Sequence, residues 1–301
     1  MIDQKKAFLY AIFTVFFWST VASAFKVSLK YLDFIHLLFY SSFVSTFTLF
    51  LVLLFQQKLP LLKKSSPEEL LRSALLGLLN PFFYYSILLK AYSLLPAQIA
   101  QPLNYTWPIM IFLFSIPLLK QKIRLWSILA VLISFTGVIV ISSKGFDFQF
   151  RAFEPKGIFL AMGSSIIWAL FWIFNMKDKR DEVVKLFLNF FFGVFFIGVA
   201  ISVFSKIKMP QLLGLLGATY VGIFEMGITF VLWLRALHFS RTTAQVSNLI
   251  YLSPFLSLVF IRLIVGEKIY LSTLVGLVLI IGGIFIQEIG RYSQEDGILQ
   301  P

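Results

Sequence analysis

From Ala7 onward the chain is a succession of apolar runs, each about twenty residues long, parted by short polar breaks. A helix needs about 20 apolar residues to cross the hydrocarbon core of a bilayer. Backbone groups in lipid must satisfy one another, so a spanning segment of this kind is a helix. Ten spans are expected, at Ala7 to Lys26, Phe34 to Phe55, Leu70 to Leu94, Gln98 to Leu119, Leu125 to Ile141, Gly157 to Met176, Val184 to Phe204, Leu212 to Leu237, Thr243 to Ile264 and Leu271 to Ile289. The breaks coincide with clusters of charge and turn formers such as Lys58 to Pro67 and Lys144 to Lys156. With 59% hydrophobic and 13% charged residues, the composition excludes a soluble globular enzyme. Ten helices of roughly 22 residues use about 220 residues, which leaves no room for an extramembrane domain.

The chain has no cysteine, so disulfides, thiol redox chemistry and thiolate metal sites are excluded. Its net charge of +12 contains no basic run long enough to read as a nucleic-acid site. The charge reads instead as a topology signal. With the N-terminus inside, 16 of the 26 Lys and Arg residues fall on the inner side, among them Lys58, Lys63, Lys64, Lys120, Arg180 and Arg241. The positive-inside rule then puts both termini in the cytoplasm of a multi-pass protein of the cell (inner) membrane. Lys5 and Lys6, an apolar run and Ala22-Ser23-Ala24 imitate a cleavable secretory signal. Retention is expected, because this span has a counterpart later in the chain.

That counterpart belongs to an internal repeat. An offset of 146 residues sets Tyr105 on Tyr251, Pro108 on Pro254 and Gly137 on Gly283. An offset of 145 sets Gly77 on Gly222 and Asn80 on Glu225, and one of 150 sets Lys6 on Lys156 and Trp18 on Trp168. The chain divides into five-span halves at 1–146 and 147–290, with 291–301 expected to be a disordered cytoplasmic tail. Five is odd, so the halves take opposite orientations, a plan that places a solute site at the midplane between them.

The phrases FWSTVASAFK (Phe17 to Lys26), GIFEMGITFVLWLRAL (Gly222 to Leu237) and AQVSNLIYLSPFLSLVFIRLIVGEKI (Ala244 to Ile269) resemble the drug/metabolite transporter superfamily, EamA type, over the whole chain. The resemblance implies an all-α polytopic membrane protein with ten transmembrane helices in two inverted five-helix repeats around a central cavity. It also implies export of small metabolites such as amino acids. The sequence departs from the pattern at Gln121, the repeat position of Glu267, and at Tyr40 and Ser41, where many members carry an arginine.

Polar groups inside spans are costly and are functional candidates for that reason. Glu225, in the middle of span 8, is the expected proton-exchanging group, since burial favours the neutral form of a carboxylate. Candidates for the wall of the cavity are Trp18, Ser19 and Thr20 on span 1, Asn80 and Tyr84 on span 3, and Gln101, Asn104 and Tyr105 on span 4. The second half offers Trp168, Trp172 and Asn175 on span 6 and Gln245, Asn248 and Tyr251 on span 9. Amides and hydroxyls can hold an amino or carboxylate group, and the aromatic rings add apolar area and cation–π contact. Pro108 and Pro254 are expected to bend their helices, and Gly266 with Glu267 to form a structural turn. Two histidines, neither in a metal-binding motif, point to no metal; no cofactor is expected and no catalytic constellation is present. The expected partners are membrane lipids, a small-molecule solute and protons. A passive facilitator, an importer, or a non-transporting sensor or assembly subunit are the alternatives.

Overall fold

The computed structural model describes residues 2–119, 125–142, 153–205, 209–240 and 248–295. Among these the chain is helical, with α1 Gln4–Ser28, α2 Phe34–Phe55, α3 Pro67–Leu94, α4 in two pieces (Ala97–Asn104 and Trp107–Leu119) and α5 Leu125–Ser142. The second half supplies α6 Pro155–Met176, α7 Glu182–Phe204, α8 Leu212–Phe239, α9 Leu249–Val265 and α10 Leu271–Glu295. Helix starts are written in the sequence. Asp3, Asp33 and Asp181 cap the first N–H groups of α1, α2 and α7, and Ser66 with Glu69 forms a reciprocal capping box at α3. Six helices, α1, α2, α3, α6, α7 and α8, are long and apolar enough to cross a membrane, with α5, α9 and α10 adding shorter apolar stretches. Large apolar side chains such as Phe43, Phe55, Phe195 and Phe204 stay exposed on the outside of the bundle. In a protein whose surround is lipid, such exposure carries no hydrophobic penalty.

The packing has an internal symmetry. Helix α1 packs on α8 and α9, as α6 packs on α3 and α4; α2 lies along α7 and α8, as α7 lies along α2 and α3; and α5 lies along α10. Replacing each helix by the one five places later maps these pairs onto one another, which is a two-fold relation between the halves. The halves interleave, and buried residues of both, including Phe25, Tyr85, Phe171 and Phe190, join one core.

The relation extends to the backbone. Helix α3 is interrupted by a wide π turn at Leu78–Phe83 and α8 by one at Val221–Glu225, so both breaks fall mid-span at repeat-related positions. Asn80 leaves the helical region altogether (φ −146°, ψ 117°). Each break begins at a close crossing. A Cβ on Gly77 would lie 2.5 Å from the Asn189 carbonyl of α7, and one on Gly222 would lie 2.5 Å from the Ser41 carbonyl of α2. Only glycine admits backbones this close.

Three sequence expectations are corrected. Pro108 and Pro254 do not bend continuous helices. Pro108 is the second residue of the Trp107–Leu119 piece after a break at Tyr105 and Thr106, and Pro254 is second in the helical piece Ser253–Phe260, which follows a 3-10 turn at Asn248–Leu252. At the start of a helix the missing proline N–H would have had no partner, so the residue starts a piece at little cost. The tail was expected to be disordered from 291, and α10 instead runs through Glu295. Asn175, expected on the cavity wall, lies one residue before the end of α6.

Candidate functional site

The α8 break sets the Glu225 carboxylate against α3, where the Tyr85 hydroxyl donates to its Oε1 atom at 3.0 Å. Tyr85 is fully enclosed and Glu225 is only 9% exposed, so the contact between them lies inside the bundle. No Lys, Arg or His forms an ion pair with Glu225 among the described residues. The π turn also changes the hydrogen bonding of α8. The Met226 carbonyl accepts from Ser45 Oγ of α2 at 2.7 Å, and Thr229 Oγ1 turns back to the Phe224 carbonyl.

From Tyr85 the site runs outward through rings. Tyr84 lies 4.6 Å from Tyr85 and 4.4 Å from Trp168 of α6, centroid to centroid. Trp168 in turn meets Trp172 at 5.8 Å and Phe230 of α8 at 5.8 Å, and Phe230 meets Trp18 of α1 at 6.0 Å. Four helices thus bring six aromatic side chains into one array beside a single carboxylate. A polar chain leaves the same array: the Tyr84 hydroxyl donates to Asn104 Oδ1 (3.3 Å), Asn104 Nδ2 donates to Ser164 Oγ (2.9 Å), and Ser164 ends on the Ala161 carbonyl (2.6 Å). Thr106, in the α4 break, donates to Ser165 Oγ at 3.0 Å.

The other candidates divide. Ser19 donates to the Val15 carbonyl and approaches Ser253 Oγ at 3.4 Å, and Ser253 also pairs with the Tyr105 hydroxyl. Thr20 and Tyr220 hydroxyls lie 2.6 Å apart. Gln101 is buried with its Oε1 atom unpartnered. Asn80 is fully enclosed with neither amide atom partnered, at the turn where α3 crosses α7. Tyr251 packs on Phe285 of α10 at 5.1 Å, and Asn175 belongs to a loop network at the end of α6. Gln245 and the side chain of Asn248 lie outside the described residues.

At one end of the bundle the α3–α4 corner is held from two sides. Lys26 Nζ donates to the Tyr92 and Leu95 carbonyls at 2.8 and 2.6 Å, which closes the C-terminus of α3. The Glu267 carboxylate accepts from the Ala97 and Gln98 N–H groups at 2.8 and 3.1 Å, which caps α4. Gly266 precedes it in the left-handed region (φ 79°), and the Gln98 side chain bonds Lys268 O and Tyr270 N. A cavity of about 520 Å³ opens between Lys26, Gln98, Glu267 and Tyr270.

At the opposite end, loops are joined by charge. Lys58 meets Asp181 at 2.6 Å, and Arg180 bonds both Asp178 (2.5 Å) and Ser73 Oγ (2.7 Å). Partial burial opposes the Asp181 charge, but the Lys58 ammonium and the Val183 and Val184 N–H groups outweigh it and hold the carboxyl below the usual range. Asp178 behaves likewise, with burial outweighed by the Arg180 guanidinium.

The model of the EamA-like transporter family matches residues 5–143 and again 155–287, one match on each five-helix half. The chain belongs to the EamA-like transporter family. It is similar to an uncharacterized transporter of Clostridium kluyveri, 28% identical over 74% of this chain and 73% of that protein. It is also similar to the uncharacterized transporter YvbV of Bacillus subtilis, 25% identical over 73% of this chain and 72% of the relative. An uncharacterized transporter of Archaeoglobus fulgidus aligns with 94% of the chain at 25% identity. A solved structure titled only as the crystal structure of a protein superposes with a TM-score of 0.68 over 97% of this chain at 20% identity. This EamA-like transporter is therefore a multi-pass protein embedded in a membrane.

Several residues of the site were not among those expected from the sequence of this EamA-like chain. Tyr85, the hydrogen-bond donor to Glu225, follows Tyr84 and occupies the repeat position of Phe230, also missed; both belong to a ring array whose members sit far apart in sequence. The adjacent pair Ser164 and Ser165 was a legible signal, since two hydroxyls midway along an otherwise apolar helix need acceptors or donors nearby.

Proposed function

We propose that this transporter exports a small amphipathic solute by exchange for protons, with Glu225 as the group that the two compete for. The observation that carries the reading is the Glu225 carboxylate at mid-span, held by one phenol from the other half and by no cationic side chain among the described residues. A charge so placed is costly, and it is relieved by binding a proton or a solute. Because α3 and α8 break at the same depth and meet at this contact, a change at Glu225 acts on both halves together. Alternating access follows as a rocking of the halves, with α5 and α10 as a brace. The Lys58 end of the bundle, where the charge count is higher, is assigned to the cytoplasm and the Lys26 end to the outside.

The test is solute efflux from proteoliposomes loaded with a mixed pool of amines, amino acids and related metabolites. Loss is followed by mass spectrometry with and without an inward proton gradient. Selective loss accelerated by the gradient, and no longer accelerated in Glu225→Gln, is the expected result. Selective loss insensitive to the gradient would replace this reading with a facilitator.

A further inference from the structure

We infer that Lys26, Gln98 and Glu267 form a latch that holds the Lys26 end of the bundle shut, so that the transporter rests closed on that side and opens toward it only when the latch parts. The inference rests on the proposed alternating access, and it is independent of proton exchange and of which solute is carried.

Packing sorts six helices into two sets, each drawn from both halves: α1 with α8 and α9, and α3 with α4 and α6. Opening one end of the bundle between these sets breaks the polar contacts that cross from one to the other there. At the Lys26 end three side chains cross. Lys26 of α1 donates to the Tyr92 and Leu95 carbonyls at the end of α3, and Glu267, in the turn after α9, accepts from the Ala97 and Gln98 N–H groups at the start of α4. Gln98 reaches back, donating from Nε2 to the Lys268 carbonyl at 2.8 Å. Its Oε1 atom accepts from the Tyr270 N–H at 2.9 Å and the Thr273 hydroxyl at 3.3 Å. The ammonium meets the negative end of one helix dipole and the carboxylate the positive end of the next.

The contacts described at the opposite end are of another kind. The Asp3 N–H bonds the Phe239 carbonyl and joins α1 to α8, and Arg180 bonds Ser73 and joins the α6–α7 loop to α3, so each stays inside one set. Lys58 and Asp181 join α2 to α7, which belong to neither. The sequence carries the same asymmetry. The offset that sets Trp18 on Trp168 sets Lys26 on Met176, which is exposed, and the following Lys177 lies over the Phe174 ring of its own helix. The repeat position of Glu267 is Gln121, which brings no charge. A latch built at both ends would favour neither face, whereas a charged latch at one end favours the state closed there. It is also made to part. Lys26, Gln98 and Glu267 line the cavity of about 520 Å³ at this corner, so the charges pass into water on release and are not stranded in an apolar core.

The chain has no cysteine, so introduced thiols report on the latch alone. Ala97 is fully enclosed, and Ala97→Cys keeps the N–H that Glu267 accepts. In the purified full chain in lipid nanodiscs, this thiol is expected to react slowly with a polar maleimide, and about tenfold or more faster once Glu267→Ala or Lys26→Met is added. Leu94→Cys with Lys268→Cys leaves the latch intact and puts one thiol on α3 and one after α9, on the wall of the same cavity. Joining the two with a short bis-methanethiosulfonate in proteoliposomes is expected to stop solute efflux, and a reductant to restore it. Efflux that continues through a complete cross-link overturns the inference even where labelling rises, because the corner is then a static contact whose first turn frays. Rapid labelling with the latch intact, or slow labelling in all three chains, overturns it as well, and this decides the matter if no member of the loaded pool moves. The cross-linking arm keeps Lys26 and Glu267, so it stands if the latch variants fail to fold. Gradient-insensitive efflux that the cross-link stops would overturn the proposed exchange and leave the latch standing. Gradient-driven efflux that passes through the cross-link would do the reverse.

Discussion

The breaks in α3 and α8 are the same device used twice, and they differ in what stands at the break. Each starts at a glycine crossing, Gly77 over α7 and Gly222 over α2, and each widens into a π turn. At the α3 break Asn80 is sealed, with both amide atoms unpartnered. At the α8 break Glu225 is buried and hydrogen-bonded across the halves. Two-fold architecture supplies matching backbone geometry, and an ionisable side chain stands at one of the two breaks, Glu225 against Asn80. An enclosed amide without partners costs about 1–3 kcal/mol. In this arrangement the first half carries that penalty and the second half carries the carboxylate.

Substitutions at the two positions should therefore separate cleanly. Glu225→Gln is expected to lower proton-driven efflux about a hundredfold, about 2.7 kcal/mol of transport free energy, with little change in melting temperature. Asn80→Leu, of similar volume, should raise the stability of this arrangement by about 1 kcal/mol and slow turnover no more than severalfold. Equal losses of flux from both would abolish the distinction between the breaks.

The crossings themselves should respond alike. A methyl at Gly77 meets the Asn189 carbonyl and the Gly193 nitrogen, and one at Gly222 meets the Ser41 carbonyl and Val44, so neither has a flexible neighbour on its closest side. Gly77→Ala and Gly222→Ala should each cost about 1–3 kcal/mol in thermal unfolding. A large inequality between them would show that the crossings are not equivalent.

Smaller effects sharpen the picture. Tyr85→Phe removes the hydroxyl that donates to Glu225 and should reduce efflux by roughly tenfold, whereas Tyr84→Phe, which loses a 3.3 Å contact to Asn104, should cost less. The smallest lies at the Lys58 end. The lowered Asp181 carboxyl stabilises the fold fully above the ordinary carboxylate value of about 4, and the contribution is lost as pH falls through the lower folded value. Asp181→Asn retains helix capping, so it should destabilise by no more than about 1 kcal/mol at pH 7. The gap from the unaltered chain should close as the pH is taken below about 4.

Helix number, the repeat and the depth of Glu225 were legible because apolar run length and residue spacing encode them directly. The α8 break was not, since nothing in VGIFEMG distinguishes a π turn from a regular one; the α3 break holds the mid-span Pro81, which has no N–H to donate and is a break signal in its own right. Proline position could be read and its consequence could not: Pro108 and Pro254 start helical pieces because Tyr105 and Thr106, or the turn before Ser253, had already ended the preceding ones. The ring array was half legible. Its tryptophans stand out in an aliphatic background, while Tyr85 and Phe230 are ordinary apolar positions until α3, α6 and α8 are brought together.

The interleaving of the halves has a consequence for synthesis. Helix α1 ends at Ser28, and the helix it packs along, α8, begins at Leu212. At about 5–20 residues per second, the ribosome needs on the order of ten to forty seconds to deliver one after the other. Throughout that interval the side of α1 bearing Ser19, Thr20 and Ser23 faces lipid or the insertion machinery, not its final neighbours. The first five helices are therefore an unfinished scaffold when they enter the bilayer. A chain truncated after the first repeat should be inserted but remain a target for membrane proteases.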